Sequence, residues 1–193
     1  MAVISGINSM GEMMENEEFL DMKQHLVNQI SERKKIYDID FDEKQLKLFD
    51  RLKNNIEYRH EWAINQMDNN KDVLDIGSGN GLFCHHLIQK GFSAHGCDIS
   101  SNAIILAKEK VPLANFIEAD VYKLPFSDNQ FEVVTSFQMI EHLVEPESAI
   151  AEMYRVSKNM VLLTTPIERN LIDPLHLHFF DFYQICDLIE KAV

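Results

Sequence analysis

The chain has 193 residues, with 31 acidic against 18 basic side chains, a formal net charge of −13, and 46% hydrophobic residues. That length and mix suit one folded domain with a small appendage, and they exclude a wholly disordered chain. The acidic excess would repel a phosphate backbone or an anionic membrane surface, so no nucleic-acid partner is expected.

Residues 1–16 are rich in Met, Ser, Gly and Glu without periodicity and read as a tail. Over 17–35, Phe19, Met22, Leu26 and Ile30 recur at helical spacing, which predicts a helix with one apolar stripe. Its basic cluster, Arg33, Lys34 and Lys35, reads as a solvated helix end. After the acidic break Asp38-Ile39-Asp40, the spacing predicts a second helix over 42–67, with Leu48, Phe49, Leu52, Ile56, Ala63 and Met67 on one face and Asn69-Asn70 ending it. Residues 1–70 are therefore expected to form a tail and a helical lid, with Tyr58, Arg59 and Trp62 near the site. A separate domain is expected over 71–193.

Past Lys71 the pattern changes to short apolar runs alternating with helical segments, as βαβ units and a parallel sheet require. Strands are expected at 72–76, 93–98, 115–119, 132–137 and 160–165. Helices are expected at 81–89, 101–110, 146–156 and 181–192. Cys84, Cys97 and Cys186 are odd in number and lack CxxC spacing, which points to a reducing compartment and a cytoplasmic location. The first twenty residues show no basic start followed by an apolar core, and no apolar run approaches the roughly 20 residues a membrane span needs.

The sharpest motif is Val73-Leu74-Asp75-Ile76-Gly77-Ser78-Gly79-Asn80-Gly81, a strand entering a glycine-rich turn and then a helix. Such a turn brings backbone N–H groups at a helix N-terminus close to a ligand. A dinucleotide fingerprint would want its third glycine at position 82, which is Leu82. The D-x-G-x-G-x-G pattern instead places a carboxylate before the glycines, suited to a cationic ligand end.

On these residues, 72 to about 190 resemble a class I S-adenosylmethionine-dependent methyltransferase of small-molecule type, similar to ubiquinone-biosynthesis O-methyltransferases. The resemblance implies a Rossmann-like open parallel sheet in the order 3-2-1-4-5. In it, Gly77, Ser78, Gly79 and Gly81 cradle the methionine part of S-adenosylmethionine, with Asp75 near its ammonium. Asp98, followed by Ile99, would accept from the ribose hydroxyls, which suits an acceptor-only carboxylate. Asp120 and Val121 match the adenine loop.

After the fourth strand comes Gln138-Met139-Ile140-Glu141-His142, where the family brings the acceptor to the methyl group, and Gln138 is placed with the cofactor. Some relatives carry Glu-x-x-Glu-His there and hold a divalent ion. Here an uncharged amide replaces the first carboxylate, so no metal is expected, with Glu141, His142 and His178 as the weaker alternative. The segment from Thr164 to Phe180 is the expected acceptor wall, and His142, His176 and His178 are candidates for a general base.

The resemblance thus implies methyl transfer to an oxygen or nitrogen of a small molecule. A cofactor-binding scaffold without catalysis is the alternative. The family's final two strands are absent after the 181–192 helix, so an exposed fifth strand, a longer parent protein or a homodimer is expected.

Overall fold

The computed structural model describes residues 43–67, 72–166 and 176–192, without the side chains of Glu43 and Lys44. The tail at 1–16, the helix expected at 17–35 and the loop at 167–175 lie outside the described residues. The first elements are α1 (Glu43–Leu52) and α2 (Tyr58–Asn65). They replace the single helix expected over 42–67. Lys53 N donates to Phe49 O and Asn55 N to Leu52 O, each at 2.9 Å, closing the first helix. Glu57 is then extended, at φ −68° and ψ 145°. Periodicity hid the break because Phe49, Leu52, Ile56, Ala63 and Met67 all reach one apolar cluster from either side of it.

The remaining elements are β1 (Asp72–Ile76), α3 (Leu82–Gln89), β2 (Ser93–Asp98), α4 (Ser101–Lys110), β3 (Asn115–Glu118), β4 (Phe131–Phe137), α5 (Pro146–Val156), β5 (Ser157–Thr164) and α6 (Phe182–Ala192). A short 3₁₀ turn, Ile140–His142, follows β4. The five strands form one parallel sheet in the order β3-β2-β1-β4-β5. β5 begins at Ser157, three residues before its expected start, because α5 runs straight into it.

Alternation along β1 divides the core. Val73 joins Phe83, Leu87, Ala107, Phe116 and Val133 on one side of the sheet, together with Phe49 and Ala63 from the first two helices. Leu74 and Ile76 join Val134, Ile140, Ile150, Met153 and Leu188 on the other. Successive strand side chains point to opposite faces, so a central strand covered by helices is apolar on both. α6 starts in a reciprocal cap: Asp181 N donates to Gln184 Oε1 at 2.8 Å, and Gln184 N to Asp181 Oδ1 at 2.9 Å. Among the described residues β5 is an outer strand that pairs only with β4, and no helix is long and apolar enough to cross a membrane.

Candidate active site

Parallel order places the ends of β1, β2 and β4 along one edge, the side where open α/β sheets bind ligands. The turn after β1 passes through Gly77, Gly79 and Gly81 at φ 74°, 52° and 77°. A Cβ at Gly77 would lie 2.9 Å from Met139 Sδ, and one at Gly81 would lie 2.8 Å from Phe116 Cζ. Side chains are therefore excluded there by space as well as by backbone conformation. Gly77 N and Ser78 N both donate to Cys97 O, at 2.8 and 3.0 Å, tying the turn to β2.

Asp98 organises the junction. Its Oδ2 accepts from Gly79 N and its Oδ1 from Ser100 N, both at 2.9 Å. Ser100 in turn caps α4, accepting from Ala103 N at 3.2 Å. Ile99 is half-buried between them. Asp75 is buried, and its Oδ1 accepts from Thr135 Oγ1 at 2.8 Å. Burial pushes its carboxyl up to about 7, against the pull of the Thr135 hydrogen bond and with a further push from Asp98.

At the end of β3, Ala119 N donates to Asp98 O at 3.0 Å, and Asp120 Oδ1 accepts from Tyr122 N at 3.0 Å. Val121 is buried. Tyr122 Oη accepts from Val144 N and Glu145 N, at 3.0 and 3.1 Å, so this loop is fastened to the start of α5. Gln138 adopts φ 53°, and its Nε2 donates to Thr164 Oγ1 at 3.2 Å across the tips of β4 and β5. A non-glycine residue with positive φ at such a tip is a local strain of the kind that clusters at functional sites.

The histidines separate. His178 Nε2 donates to Leu143 O at 2.8 Å, and its ring stacks on Phe180. His142 and His176 pack edge to face with centroids 4.7 Å apart, beside Glu141. Donor atoms of Glu141, His142 and His176 all lie within 4.8 Å of one another, so His176 stands in the place the sequence reading gave to His178. Glu141 is 1% exposed. Burial pushes its carboxyl above the ordinary range, against hydrogen bonds from its own backbone and from Thr165.

Of the aromatic residues expected beside the site, Tyr58 is 83% exposed and Trp62 42% exposed, while Arg59 pairs with Glu57 at 2.6 Å. The first helices reach the glycine turn through Asn80, whose Nδ2 donates to Gln45 O at 3.2 Å. Nothing local in the sequence marks Thr135, which donates to Asp75, Tyr122, which ties the loop after β3 to the start of α5, or Met139, which lies against Gly77. Each is an ordinary strand or loop residue until its neighbour is known.

Residues 74–163 match the family described as a methyltransferase domain. A demethylmenaquinone methyltransferase from Paenarthrobacter aurescens is 35% identical over 86 residues, 45% of this chain and 34% of that protein. A phosphoethanolamine N-methyltransferase from Plasmodium falciparum is 30% identical over 152 residues, 74% of this chain and 50% of that protein. The chain thus spans between a third and a half of these relatives. Among solved structures, a TehB-like S-adenosylmethionine-dependent methyltransferase from Corynebacterium glutamicum superposes with a TM-score of 0.62 at 18% identity, covering 78% of this chain and 81% of that one. The sheet order, the glycine turn and these matches define an open α/β methyltransferase domain. Over residues 74–163 the chain is similar in sequence to S-adenosylmethionine-dependent methyltransferases, and its fold is that of the class I enzymes.

Proposed function

We propose that this chain transfers a methyl group from S-adenosylmethionine to an oxygen or nitrogen of a small molecule, in the cytoplasm. The observation that carries this reading is Asp98, whose two oxygens bind Gly79 N and Ser100 N at the tip of β2. A carboxylate accepts only, which suits a group at the end of β2 that would face the two donors of the ribose. Gly77, Ser78, Gly79 and Gly81 would cradle the methionine part, in a turn with no room for a Cβ at Gly77. Ser78 Oγ is buried without a protein partner, as a ligand-binding hydroxyl would be. Asp75 would sit toward the ammonium, Ile99 beside the ribose, Asp120 and Val121 at the adenine, and Gln138 by the methyl group.

When bound, the cofactor supplies a methyl on a sulfonium, a good leaving group. The chain's own residues then have to position the acceptor and exclude water more than supply a strong base. Helices α1 and α2 would act as the lid, joined to the turn through Asn80. His142 and His176 are the better placed bases, since His178 is engaged with Leu143 O. Three free cysteines suit the reducing cytoplasm. Self-association along the outer edge of β5 is the assembly this reading favours, and sedimentation showing only monomer at high concentration would refute it.

Calorimetry with S-adenosylhomocysteine, followed by transfer of labelled methyl to a panel that includes demethylmenaquinone and phosphoethanolamine, tests the reading. Binding with labelled product supports it. Binding without product on any acceptor leaves the scaffold alternative, and no binding at millimolar ligand overturns both.

A further inference from the structure

We propose that Thr135 is the positioning residue for Asp75 in cofactor binding: its hydroxyl turns from Leu74 O to the Asp75 carboxylate as that carboxyl releases its proton to meet the ligand's ammonium. The proposal rests on reading this cleft as the S-adenosylmethionine site and adds to it the device that readies Asp75. The first observation is register. Asp75 of β1 and Thr135 of β4 are direct partners in the parallel ladder, so their side chains leave the same face of the sheet side by side. Both are buried, at 3% and 0% exposed.

The second observation is where the hydroxyl stands. Thr135 Oγ1 lies 2.8 Å from Asp75 Oδ1 and 3.4 Å from Leu74 O. A hydroxyl carries one proton and two lone pairs, so it donates to one of these at a time and can accept from a neutral carboxyl. With Asp75 ionised, Thr135 donates to it. With Asp75 protonated, the Asp75 O–H donates to Thr135 Oγ1, and the Thr135 proton turns to Leu74 O. Branching at Cβ holds Oγ1 in one place, so the exchange moves hydrogens and no heavy atom. Valine has the shape for this position and can play neither part.

The surroundings leave the two states close in energy. Burial disfavours the ionised carboxyl and Asp98, at the tip of β2, adds to that, while the Thr135 hydrogen bond and the charge of Arg59 on α2 favour it. Cys84 of α3 and Cys97 of β2 feel the same carboxylate and stay neutral, because burial pushes both thiols up. The Asp75 carboxyl accordingly titrates at about 7, within reach of a single added positive charge. An ammonium arriving beside it stabilises the ionised form, and the proton passes to solvent. The Thr135 hydroxyl then supplies the hydrogen bond that the new charge needs.

The test is calorimetry of S-adenosylhomocysteine binding to the full chain at pH 6, 7 and 8, in buffers of differing ionisation enthalpy, which counts the protons released. Wild type should release about 0.9 proton per ligand at pH 6 and about 0.1 at pH 8. Thr135→Val should bind about fivefold more weakly at pH 7, with the pH at which affinity levels off raised by about one unit. Thr135→Ser, which keeps the hydroxyl, should restore the wild-type profile. If Thr135→Val does not fold, Thr135→Cys, of similar size with only a weak donor, takes its place, and the same direction of shift is expected. No binding by wild type would overturn the cofactor reading and this one with it. Binding by wild type without proton release at pH 6, an unmoved profile in the hydroxyl-free variant, or a Thr135→Ser profile that follows that variant would each overturn the role of Thr135 and leave the cofactor reading standing.

Discussion

His60 and His86 meet through their Nδ1 atoms, 3.2 Å apart, in the buried seam where α2 packs on α3. His86 Nε2 stands 3.3 Å from Leu52 O, and a carbonyl can only accept, so that nitrogen carries the proton. His86 Nδ1 is then the acceptor and His60 Nδ1 the donor. Both rings are neutral in this arrangement, and His60 is enclosed by Phe83 and Phe137.

The first prediction is a loss of stability in mild acid. Burial lowers His60 to about 3, with Arg59 and His86 adding to the shift, and burial lowers His86 as well. The unfolded chain takes up the His60 proton near pH 6.5, while the folded chain refuses it until about 3. This contribution is therefore complete above pH 6.5 and shrinks as pH falls through that window. Between pH 6.5 and 5 it amounts to about 2 kcal/mol. Urea denaturation of wild type and His60→Phe at both pH values measures it; the variant should lose clearly less, and equal losses would refute the assignment.

How much of this was legible in the sequence depends on whether a feature is local. The strand-to-turn motif at Val73–Gly81 was readable because the chain writes a glycine wherever the backbone turns with positive φ and no space for a Cβ. Asp98 was readable as the end of a strand before a helix. The gap between α1 and α2 was not, because Leu52 and Ile56 continue the apolar stripe through a non-helical stretch. That His176 and not His178 lies beside Glu141 and His142 was equally hidden. It is decided by the Glu141 carbonyl accepting Leu177 N and His178 N, a pairing across more than thirty residues that no spacing rule contains.

Replacing Asp98 should separate binding from folding. Asp98→Ala removes an acceptor from two backbone N–H groups and, in the proposed reading, from two ribose hydroxyls. A hydrogen bond to a charged group is worth roughly 1.5 to 3 kcal/mol, so S-adenosylhomocysteine affinity should fall more than tenfold. Calorimetry beside a thermal melt checks this. Affinity that stays unchanged in a folded variant would remove Asp98 from the cofactor site.

Asp75 gives the apo protein a pH dependence of opposite sense to the acid limb of His60, and cofactor binding one of its own. Its folded carboxyl titrates at about 7, well above the ordinary 3.8. Without ligand, its contribution to stability is full below pH 3.8 and is lost as pH rises through 7, because ionisation leaves a buried charge. Asp75→Asn should accordingly be the more stable apo protein at pH 8, by about 1 to 3 kcal/mol. A cationic ligand end reverses the preference. Wild-type affinity for S-adenosylhomocysteine should rise about tenfold from pH 6 to 8, while the variant binds weakly and without that slope. Calorimetry at the two pH values distinguishes this from a purely structural Asp75, for which both proteins would show the same slope.

Tyr122 couples the loop after β3 to the start of α5, and removing one oxygen should show it. Its hydroxyl accepts from Val144 N and Glu145 N, while Glu152 Oε2 accepts from Leu124 N at 2.9 Å and Arg155 donates to Leu124 O and Phe126 O, at 3.1 and 2.8 Å. The loop carrying Asp120 and Val121 is thus clamped at both ends, and burial raises the Tyr122 phenol so that it keeps its proton across the working range. Tyr122→Phe leaves two N–H donors for water to satisfy in part, which costs about 1 kcal/mol. The looser loop should also weaken S-adenosylhomocysteine binding severalfold. Calorimetry with that ligand beside a thermal melt reads the two effects apart. A variant that binds the nucleoside ligand as tightly as wild type would show that the Tyr122 clamp serves folding alone.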